Sequence, residues 1–449
     1  MLDVSENRPA FKEKSRAESV AALDSVDYVA INNCPTVSDT IRFLQPSIFL
    51  KGIDNINEPN NMVSELLLEK DAVESVGGEL KLTDEITISS SDLLNHFFSF
   101  FSKETDEFLS AFSKRYSAND LFEYIEQIKD LKILVIGEAI IDEYQYGTSI
   151  GKSNKASILA LKYRYAEKFA GGSLAIANQV AQFCDNVDLF TVLGEKETQQ
   201  EFIEKKLDKK IRSMFHYKKN SPTIVKRRFI ELDPLSKLLE FYVFDDTKLD
   251  KTQSKEVIDH LNLIIQDYDV VIVSDFGHGM FTYEIINLIS NKSKFVGINT
   301  QTNAGNTGYN TISKYPKADY ICIDEPEVRL DAQDKEQALE EIINKLSEKL
   351  DCNHISITKG RRGCLTYANG EFYPIPVLSG KVVDSMGAGD AFLSISTPLV
   401  SIGTPMDIVG FIGNAIGAMA VAIIGNREPI DKSSLSKYIK TIMNNKHMR

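Results

Sequence analysis

The stretch KVVDSMGAGDAFLS, residues 381–394, places two aspartates around a glycine-rich turn and runs directly into an apolar segment. If Asp390 opens a helix, the backbone N–H groups around Gly387, Ala388 and Gly389 point forward and form an anion site. Glycines let a phosphate approach the backbone because they carry no Cβ. Asp390 would lie beside this site, where a carboxylate can accept a hydroxyl proton during phosphoryl transfer. A surface turn before a buried helix would not need an acid next to an anion site, so we favour a functional loop.

Composition limits the classes of protein that the chain can belong to. With 449 residues, 43% of them hydrophobic, we expect two or more domains. The formal net charge of -13 argues against nucleic acid or an anionic membrane as a partner. Its five cysteines form no C-x-x-C pair and its six histidines lack metal-ligand spacing, which indicates a reduced, cytoplasmic setting without structural zinc. The first residues show no apolar run typical of a secretory signal.

One segment, IVGFIGNAIGAMAVAIIG at residues 408–425, reaches the lower length limit of a membrane span. It is solitary, rich in glycine and without an aromatic belt, and it closely follows the glycine-rich turn. These features favour a buried helix packed tightly on a sheet, so we expect no membrane partner.

From about Lys132 onward, short apolar runs alternate with amphipathic stretches such as 335–350. Near-continuous apolar strands separated by helices are typical of a parallel sheet covered on both faces. Ligands of such sheets bind at the carboxyl ends of the strands. The predicted strands are 132–142, 187–194, 269–277, 294–300, 319–324 and 354–360.

Two segments break this alternation. Residues 147–169 and 222–246 have the mixed polarity of hairpin strands, and we expect them to form a small sheet over the mouth of the site. Between residues 97 and 132, Phe and Tyr recur at helical spacing, and Ser117 with Asp120 offers an N-cap. The sequence therefore predicts a packed helical connector ahead of the sheet.

The segment DSMGAGDAF resembles the C-terminal motif D-T-x-G-A-G-D of the ribokinase-like (PfkB) carbohydrate kinases. The resemblance extends in order over about residues 131–426, and it implies a three-layer α/β/α sandwich with a small β lid. The other matching segments are VIGEAIIDEYQYG (135–147), AGGSLAIANQVAQF (170–183), VSDFGHG (273–279) and ISITKGRRGCL (355–365).

This resemblance implies a kinase that uses ATP and Mg²⁺, with a sugar or sugar phosphate as acceptor. Asp390 would be the base, and residues 387–389 would hold the developing charge. The resemblance places the sugar at Asp142, Gly171, Gly172, Asp275 and Asn299, the nucleotide at Thr358, Gly360, Gly363 and Asn414, and Mg²⁺ at Glu327 and Asp324.

Within the family, the segments DEYQYG and PTIVKRRFI are most similar to the heptose-7-phosphate kinase half of bifunctional ADP-heptose synthases. Lys226 and Arg228 match basic residues that lie near the sugar phosphate in that subgroup; the alternative is a solvated lid strand. Ala175 and His278 replace an asparagine and a lysine of the subgroup, and Asn299 stands where an aspartate is frequent. The identity of the sugar therefore stays open.

The first hundred residues resemble the nucleotidyltransferase half of the same enzymes. Residues 26–31 and 47–52 are predicted strands, residues 64–77 are a predicted helix, and the K-G-x-D segment supplies Lys51, Gly52 and Asp54. The closing S-S-x motif has Ser89–Ser91, but no H-x-G-H motif is present. We therefore expect a partial nucleotidyltransferase-like domain at 1–98, a helical connector at 99–130 and a kinase domain at 131–449.

Three functions remain open on the sequence: a sugar-phosphate kinase, a bifunctional kinase and nucleotidyltransferase of nucleotide-sugar synthesis, and a non-catalytic sugar-nucleotide sensor. The kinase is favoured because the changes leave the phosphoryl-transfer motif intact. The subgroup resemblance also implies a homodimer formed through the lid.

Overall fold

The computed structural model describes residues 13–32, 37–52, 62–83, 101–380 and 382–444. The chain divides into two compact units, Met1–Phe98 and Ser99–Arg449.

The first unit contains a two-stranded parallel sheet and three described helices around Ile41, Ala72 and Val73. The predicted strand at 47–52 and helix at 64–77 are both present. The predicted strand at 26–31 is wrong, because this segment pairs with no described strand and its Tyr28 is 95% exposed. The elements are α1 (Glu13–Ala21), α2 (Ser38–Leu44), β1 (Ile48–Gly52), α3 (Met62–Ser75) and β2 (Glu79–Thr83).

The second unit is built on a nine-stranded sheet and a separate four-stranded sheet. The strands are β3 (Lys132–Gly137), β4 (Ala139–Lys152), β5 (Leu159–Gly172), β6 (Asn186–Lys196), β7 (Arg212–Pro222), β8 (Ile224–Leu232), β9 (Leu235–Val243), β10 (Val270–Asp275), β11 (Val296–Thr300), β12 (Tyr320–Asp324), β13 (His354–Thr358), β14 (Cys364–Ala368) and β15 (Glu371–Ile375).

The large sheet has the strand order β15-β14-β13-β12-β11-β10-β3-β6-β7. Its strands from β13 to β7 pair in parallel, as the alternation of apolar runs and helices predicts, while β14 and β15 add an antiparallel edge. The carboxyl ends of the parallel strands consequently lie along one edge of the sheet.

Helices cover both faces of this sheet. Successive residues of β3 belong to opposite cores: Ile133 and Val135 pack in one, Leu134 and Ile136 in the other, since side chains alternate along a strand. The architecture is therefore a three-layer α/β/α sandwich. Its helices are α4 (Lys103–Arg115), α5 (Ala118–Gln127), α6 (Ser173–Val180), α7 (Gln200–Lys206), α8 (Lys251–Ile264), α9 (Tyr283–Lys292), α10 (Glu325–Ala332), α11 (Leu339–Lys349), α12 (Ala388–Ser401), α13 (Met406–Ala420) and α14 (Lys432–Asn444), with 3-10 turns at Ile265–Asp267, Ile312–Lys314 and Gly360–Arg362.

The small sheet has the order β5-β4-β8-β9 and contains the two segments predicted as hairpins. β4 pairs antiparallel with β5 and parallel with β8, which brings Asp142 opposite Lys226. We call this sheet the lid. One face of it carries polar side chains from neighbouring strands toward the site described below.

Helices α4 and α5 are part of the second unit: both contact α14, and α4 also packs on α13. The predicted N-cap at Ser117 is confirmed: its hydroxyl accepts the N–H of Asp120, whose carboxylate accepts the N–H of Ser117. Phe112 is fully buried and its ring stacks on Phe411 at a centroid distance of 4.4 Å. Helix α13 is the buried helix expected from residues 408–425. Over the described ranges, no helix combines the length and apolar character needed to cross a membrane.

The stacking of Phe112 on Phe411 predicts that α4 contributes directly to the stability of the second unit. Phe112→Ala should lower the free energy of unfolding by about 3–5 kcal/mol, because a large ring leaves a cavity in a closed core. Chemical denaturation measures this difference, with the exposed Lys103→Ala as control. Equal stability of the two variants would mean that α4 is not an integral part of this core.

Candidate active site

The glycine-rich turn leads into α12 in the conformation that the sequence predicts. Gly387 is the N-cap residue with φ +80°, and an added Cβ would lie 1.9 Å from Oδ1 of Asn426, so this position requires glycine. The first intrahelical bond runs from Ala391 N–H to the Gly387 carbonyl at 2.9 Å. A Cβ on Gly389 would meet no atom within 4 Å, which leaves open space beside the first turn. The helix start therefore presents unpaired N–H groups to an accessible space.

Asp390 is the third residue of α12 and is half-buried. Burial raises the pKa of its carboxyl to about 7, and the nearby Asp142 acts in the same direction. Gln301 Nε2 donates a hydrogen bond to Asp390 Oδ1 at 3.1 Å, which opposes the rise in pKa. A carboxyl with a pKa near neutrality can both accept and release a proton at the pH of a cell.

The turn and Asp390 line an open cleft of about 870 Å³ between the sheet edge and the lid. Most of the residues predicted for a site line this same cleft. They are Asp142, Gly172, Lys226, Arg228, Asn299, Asp324, Glu327, Thr358, Gly360, Gly363, Gly387, Ala388, Gly389, Asp390 and Asn414.

Gly171 and Asp275 are not among the residues that line the cleft. An added Cβ on Gly171 would lie 2.2 Å from Oδ2 of Asp142, so Gly171 serves by leaving room for that carboxylate. Asp275 is fully buried, forms an ion pair with Lys314 and accepts a hydrogen bond from Tyr315 Oη at 2.8 Å. This placement differs from the expected substrate contact, because Lys314 and Tyr315 hold the Asp275 carboxylate within the fold.

On the lid side, Arg228 is 2% exposed and is shared between two carboxylates. Its Nη1 donates to Asp142 Oδ1, and its Nε donates to Glu240 Oε1 at 2.7 Å. The two carboxylates neutralise Arg228 and fix Asp142 at the wall of the cleft. Asp142 keeps its other oxygen beside the space that Gly171 leaves free.

Lys226 has a different environment. It is 8% exposed, and its ammonium lies 5.3 Å from the ring centroid of Phe276 and 5.7 Å from that of Tyr242. No carboxylate of the described residues reaches ion-pair distance from its Nζ, and burial lowers its pKa although Asp142 opposes this. An ammonium held in this way is able to bind an anionic group.

The other half of the cleft is formed by the turn after β13 and by α13. Gly363 has φ +80°, and a Cβ there would lie 2.0 Å from the Ile375 carbonyl oxygen, whereas a Cβ on Gly360 would meet nothing within 4 Å. Asn414 Nδ2 donates to the Pro376 carbonyl at 2.9 Å, which ties α13 to the segment after β15. These residues form a wall with accessible backbone, in keeping with the predicted nucleotide side.

Asp324 and Glu327 form the capping box of α10 at the end of β12. Asp324 Oδ1 accepts the Glu327 N–H at 2.8 Å, and Glu327 accepts the N–H groups of Asp324 at 3.2 Å and Thr302 at 3.0 Å. Burial and the neighbouring Asp324 raise the pKa of Glu327 to about 8.

Within the described ranges, no three His, Cys, Asp or Glu side chains form a cluster able to hold a metal ion. Mg²⁺ in phosphoryl-transfer sites is bound by one or two carboxylates, water and the phosphates themselves, and does not need such a cage. Two desolvated carboxylates that line the cleft, Asp324 and Glu327, fit this requirement because a cation relieves their mutual repulsion.

Asp384, the first aspartate of the turn, has a structural environment. It is 6% exposed and accepts hydrogen bonds from Tyr144 Oη at 2.7 Å, Lys237 Nζ at 2.6 Å and Gly425 N–H at 3.0 Å. Burial opposes ionisation of this carboxyl, but the bonds from Lys237 and Tyr144 outweigh it and hold its pKa below the usual value. Asp384 therefore fixes the loop that carries the glycine-rich turn.

Two functional positions were not predicted from the sequence. Gln301 lies outside every recognised motif, and only its place just after β11 indicates the sheet edge. Glu138 is 2% exposed and accepts the N–H groups of Phe276 at 2.7 Å and His278 at 2.8 Å, and burial raises its pKa to about 7. Glu138 thereby holds the loop after β10 against the base of the lid.

The pKa of Asp390 predicts how a neutral replacement changes stability with pH. A carboxyl whose pKa is raised on folding destabilises the folded state as pH rises through about 7, because its ionised form is desolvated. Asp390→Asn should therefore raise the melting temperature over wild type more at pH 8 than at pH 5. Differential scanning calorimetry at both values measures this, with the exposed Asp246→Asn as control. A gain that is independent of pH would contradict the raised pKa.

Comparisons with known proteins agree with this geometry. Residues 130–433 match the pfkB family of carbohydrate kinases. Bifunctional protein HldE of Shewanella piezotolerans is 26% identical over 298 residues, which cover 66% of this chain and 60% of the relative. The same protein of Haemophilus influenzae is 23% identical over 307 residues, 68% of this chain and 62% of the relative. The chain thus spans about three fifths of the length of these curated relatives.

Solved structures show the same fold. Phosphofructokinase-2 from Escherichia coli in complex with potassium aligns with a TM-score of 0.56 and 11% identity, over 70% of this chain and 99% of that one. Ribokinase from Arabidopsis thaliana, complexed with ribose and ATP, aligns with a TM-score of 0.52 and 16% identity, over 69% of this chain and 99% of that one. The fold is therefore ribokinase-like. Since the family match covers more than half of the chain, this protein belongs to the pfkB family of carbohydrate kinases.

Proposed function

We propose that this kinase transfers the γ-phosphoryl group of ATP to a hydroxyl of a sugar phosphate of the heptose-phosphate kind. The observation that carries the proposal is the position of Asp390 in the first turn of α12, in the same cleft as an unpaired buried lysine, Lys226. In phosphoryl transfer, a base beside an anion site can accept the proton of the acceptor hydroxyl. The lysine can bind an acceptor that already carries a negative charge.

In the proposed reaction, the acceptor hydroxyl oxygen attacks the γ-phosphorus while the bond to the β-phosphate oxygen breaks and ADP leaves. The hydroxyl proton passes to the Asp390 carboxylate. The N–H groups at the start of α12 stabilise negative charge on the transferred group, because the helix dipole and the unpaired donors act together. Asp142, fixed by Arg228, orients the sugar hydroxyls.

Asp324 and Glu327, which both line the cleft, would hold Mg²⁺ on the side where the phosphates of ATP bind.

 When bound there, the ion would neutralise charge on the phosphates of ATP. Both carboxylates line the cleft, and Glu327 also accepts the N–H of Thr302, so the capping box would keep this pair in place before nucleotide binds.

The nature of the acceptor rests on the lid. The segments around Asp142 and Lys226 resemble the heptose-7-phosphate kinase half of bifunctional ADP-heptose synthases, and the curated relatives are bifunctional proteins by name. Arg228 is neutralised by Asp142 and Glu240, which leaves Lys226 as the lid cation available to an acceptor phosphate. Arg361 also lines the cleft, but it belongs to the turn after β13, on the proposed nucleotide side.

Turnover tests the proposal directly. The purified chain, with ATP and Mg²⁺, should consume ATP in the presence of a sugar phosphate, with heptose 7-phosphate among the compounds tried beside free sugars. Asp390→Asn should lower kcat by at least about a hundredfold, because general-base catalysis is lost, while ATP binding measured by thermal shift survives. Absence of turnover on every acceptor, together with clear ligand-induced thermal shifts, would favour a sugar-nucleotide sensor instead.

The unpaired ammonium of Lys226 predicts that the enzyme prefers phosphorylated acceptors. Lys226→Met should raise the KM for a sugar phosphate at least about tenfold and leave the KM for ATP unchanged, because the buried ammonium faces the acceptor. Steady-state kinetics measure both constants, with the exposed Lys219→Met as a control of equal charge change. If both variants behave alike, Lys226 does not bind the acceptor.

We also propose that the chain is organised as a nucleotidyltransferase-like unit at 1–98, a connector at 99–130 and a kinase domain at 131–449. Support in the first unit is limited to the parallel pair β1 and β2, with Lys51 at the end of β1 forming an ion pair with Glu69. Asp54 and Ser89–Ser91 lie outside the described residues. The alternative of a bifunctional kinase and nucleotidyltransferase stays open, although this sequence contains no H-x-G-H motif; a nucleotidyl-transfer assay of the full chain tests it.

A homodimer through the lid is part of the same proposal. Leu239 and Phe241 of β9 are 61% and 52% exposed, so the lid presents apolar area to solvent. Light scattering of the purified chain tests the dimer. A cytoplasmic location is supported by the four described cysteines, Cys184, Cys322, Cys352 and Cys364, all of which are buried free thiols.

A further inference from the structure

We propose that Gln301 is a positioning residue for the catalytic base and holds one oxygen of the Asp390 carboxylate so that the other is left for the acceptor hydroxyl. The inference rests on the proposed kinase function and deepens it. Gln301 lines the cleft, and its Nε2 donates to Asp390 Oδ1 at 3.1 Å. Among the described residues, no donor reaches the second oxygen, Oδ2.

The backbone that carries Gln301 is fixed on both sides of the peptide. Gln301 N–H donates to the Asp275 carbonyl at 2.8 Å, and Asn310 Nδ2 donates to the Gln301 carbonyl at 2.9 Å. The next residue, Thr302, donates its N–H to Glu327 at 3.0 Å. Three bonds within two residues make this strand end a rigid support for the side chain, as positioning requires.

Asp275 does not line the cleft, but it supports the loop that carries Gln301. Asn310 is 4% exposed and donates to the Asp275 carbonyl as well, at 2.9 Å, while Lys314 Nζ donates to Asn310 Oδ1 at 2.6 Å. The ion pair of Asp275 with Lys314 therefore supports the same loop that aims Gln301. Asp275, which was expected to bind substrate, thus helps to support the loop of Gln301, the residue that positions Asp390.

The charges around Asp390 show what the amide contributes. Burial and Asp142 on β4 raise the pKa of Asp390, Lys226 on β8 lowers it, and the thiol of Cys322 on β12 interacts electrostatically with the carboxyl. The hydrogen bond from Gln301 favours the ionised carboxylate, which is the form that accepts a proton. Without this donor, Asp390 would be free to rotate and its carboxylate would be less stable.

The experiment compares Gln301→Met, which keeps the size of the side chain and removes the donor, with wild type. We expect kcat to fall at least about tenfold, the KM for ATP to stay within about twofold, and the acidic limb of the kcat profile to move to higher pH. Gln337→Met is the matched control, because Gln337 Nε2 donates to Glu341 at 2.8 Å on the surface, away from the cleft. A kcat and pH profile equal to those of the control would overturn the proposal.

A second measurement does not depend on turnover. Asp390→Asn should raise the melting temperature at pH 8 by more in the Gln301→Met background than in wild type, because the carboxylate has lost its donor. An equal gain in both backgrounds would overturn the proposal, whereas failure of the kinase function alone would appear as absent wild-type turnover with this difference preserved. If Gln301→Met does not fold, Gln301→Leu replaces it in both measurements.

Discussion

The buried carboxylate of Asp384 joins the parts of the second unit on which phosphoryl transfer depends. It receives donors from two lid strands, through Tyr144 and Lys237, and from the backbone of the segment after α13, at Gly425. The glycine turn begins three residues later, and the Met386 N–H also donates to Asp384, at 3.2 Å. Because a buried charge must be satisfied, these donors cannot move independently of one another. The Asp384 carboxylate thus links the position of the lid to the geometry of the glycine-rich turn.

Acidic residues of the same type take different roles here because their neighbours differ. Asp384 has Lys237 and stays ionised, while Asp275 has Lys314 and serves the loop after β11. Asp390 has an amide as its described donor, so desolvation raises its pKa toward neutrality. The close cationic partners of Asp384 and Asp275 favour their ionised forms, whereas the neutral partner of Asp390 leaves it a proton affinity that acid–base chemistry can use.

Local patterns in the sequence predict much of this fold. The predicted apolar runs form β3, β6 and β10 to β13, which all lie in the large sheet, and the Gly-Ala-Gly segment at 387–389 marks the start of α12. Both features are predictable because each depends on a few adjacent residues. Residues 26–31 show the limit, because an apolar alternation becomes a strand only where a neighbouring strand pairs with it. The bond of Gln301 to Asp390 and that of Lys237 to Asp384 join residues 89 and 147 positions apart, and no short pattern contains them.

Three of the four connections between the lid and the body of the kinase are very short. Glu138 is the single residue between β3 and β4, Thr223 is the single residue between β7 and β8, and α6 begins directly after β5. Both connecting residues are 2% exposed. The Glu138 carboxylate accepts the N–H groups of Phe276 and His278. The Thr223 hydroxyl donates to the Thr198 carbonyl and accepts the N–H of Gly194. These three connections leave no loop that could act as a hinge, whereas the fourth, residues 244–250 between β9 and α8, is longer. Any motion of the β4–β5 half of the lid would therefore require bending along these two 14-residue strands, and their tip would move further than their base.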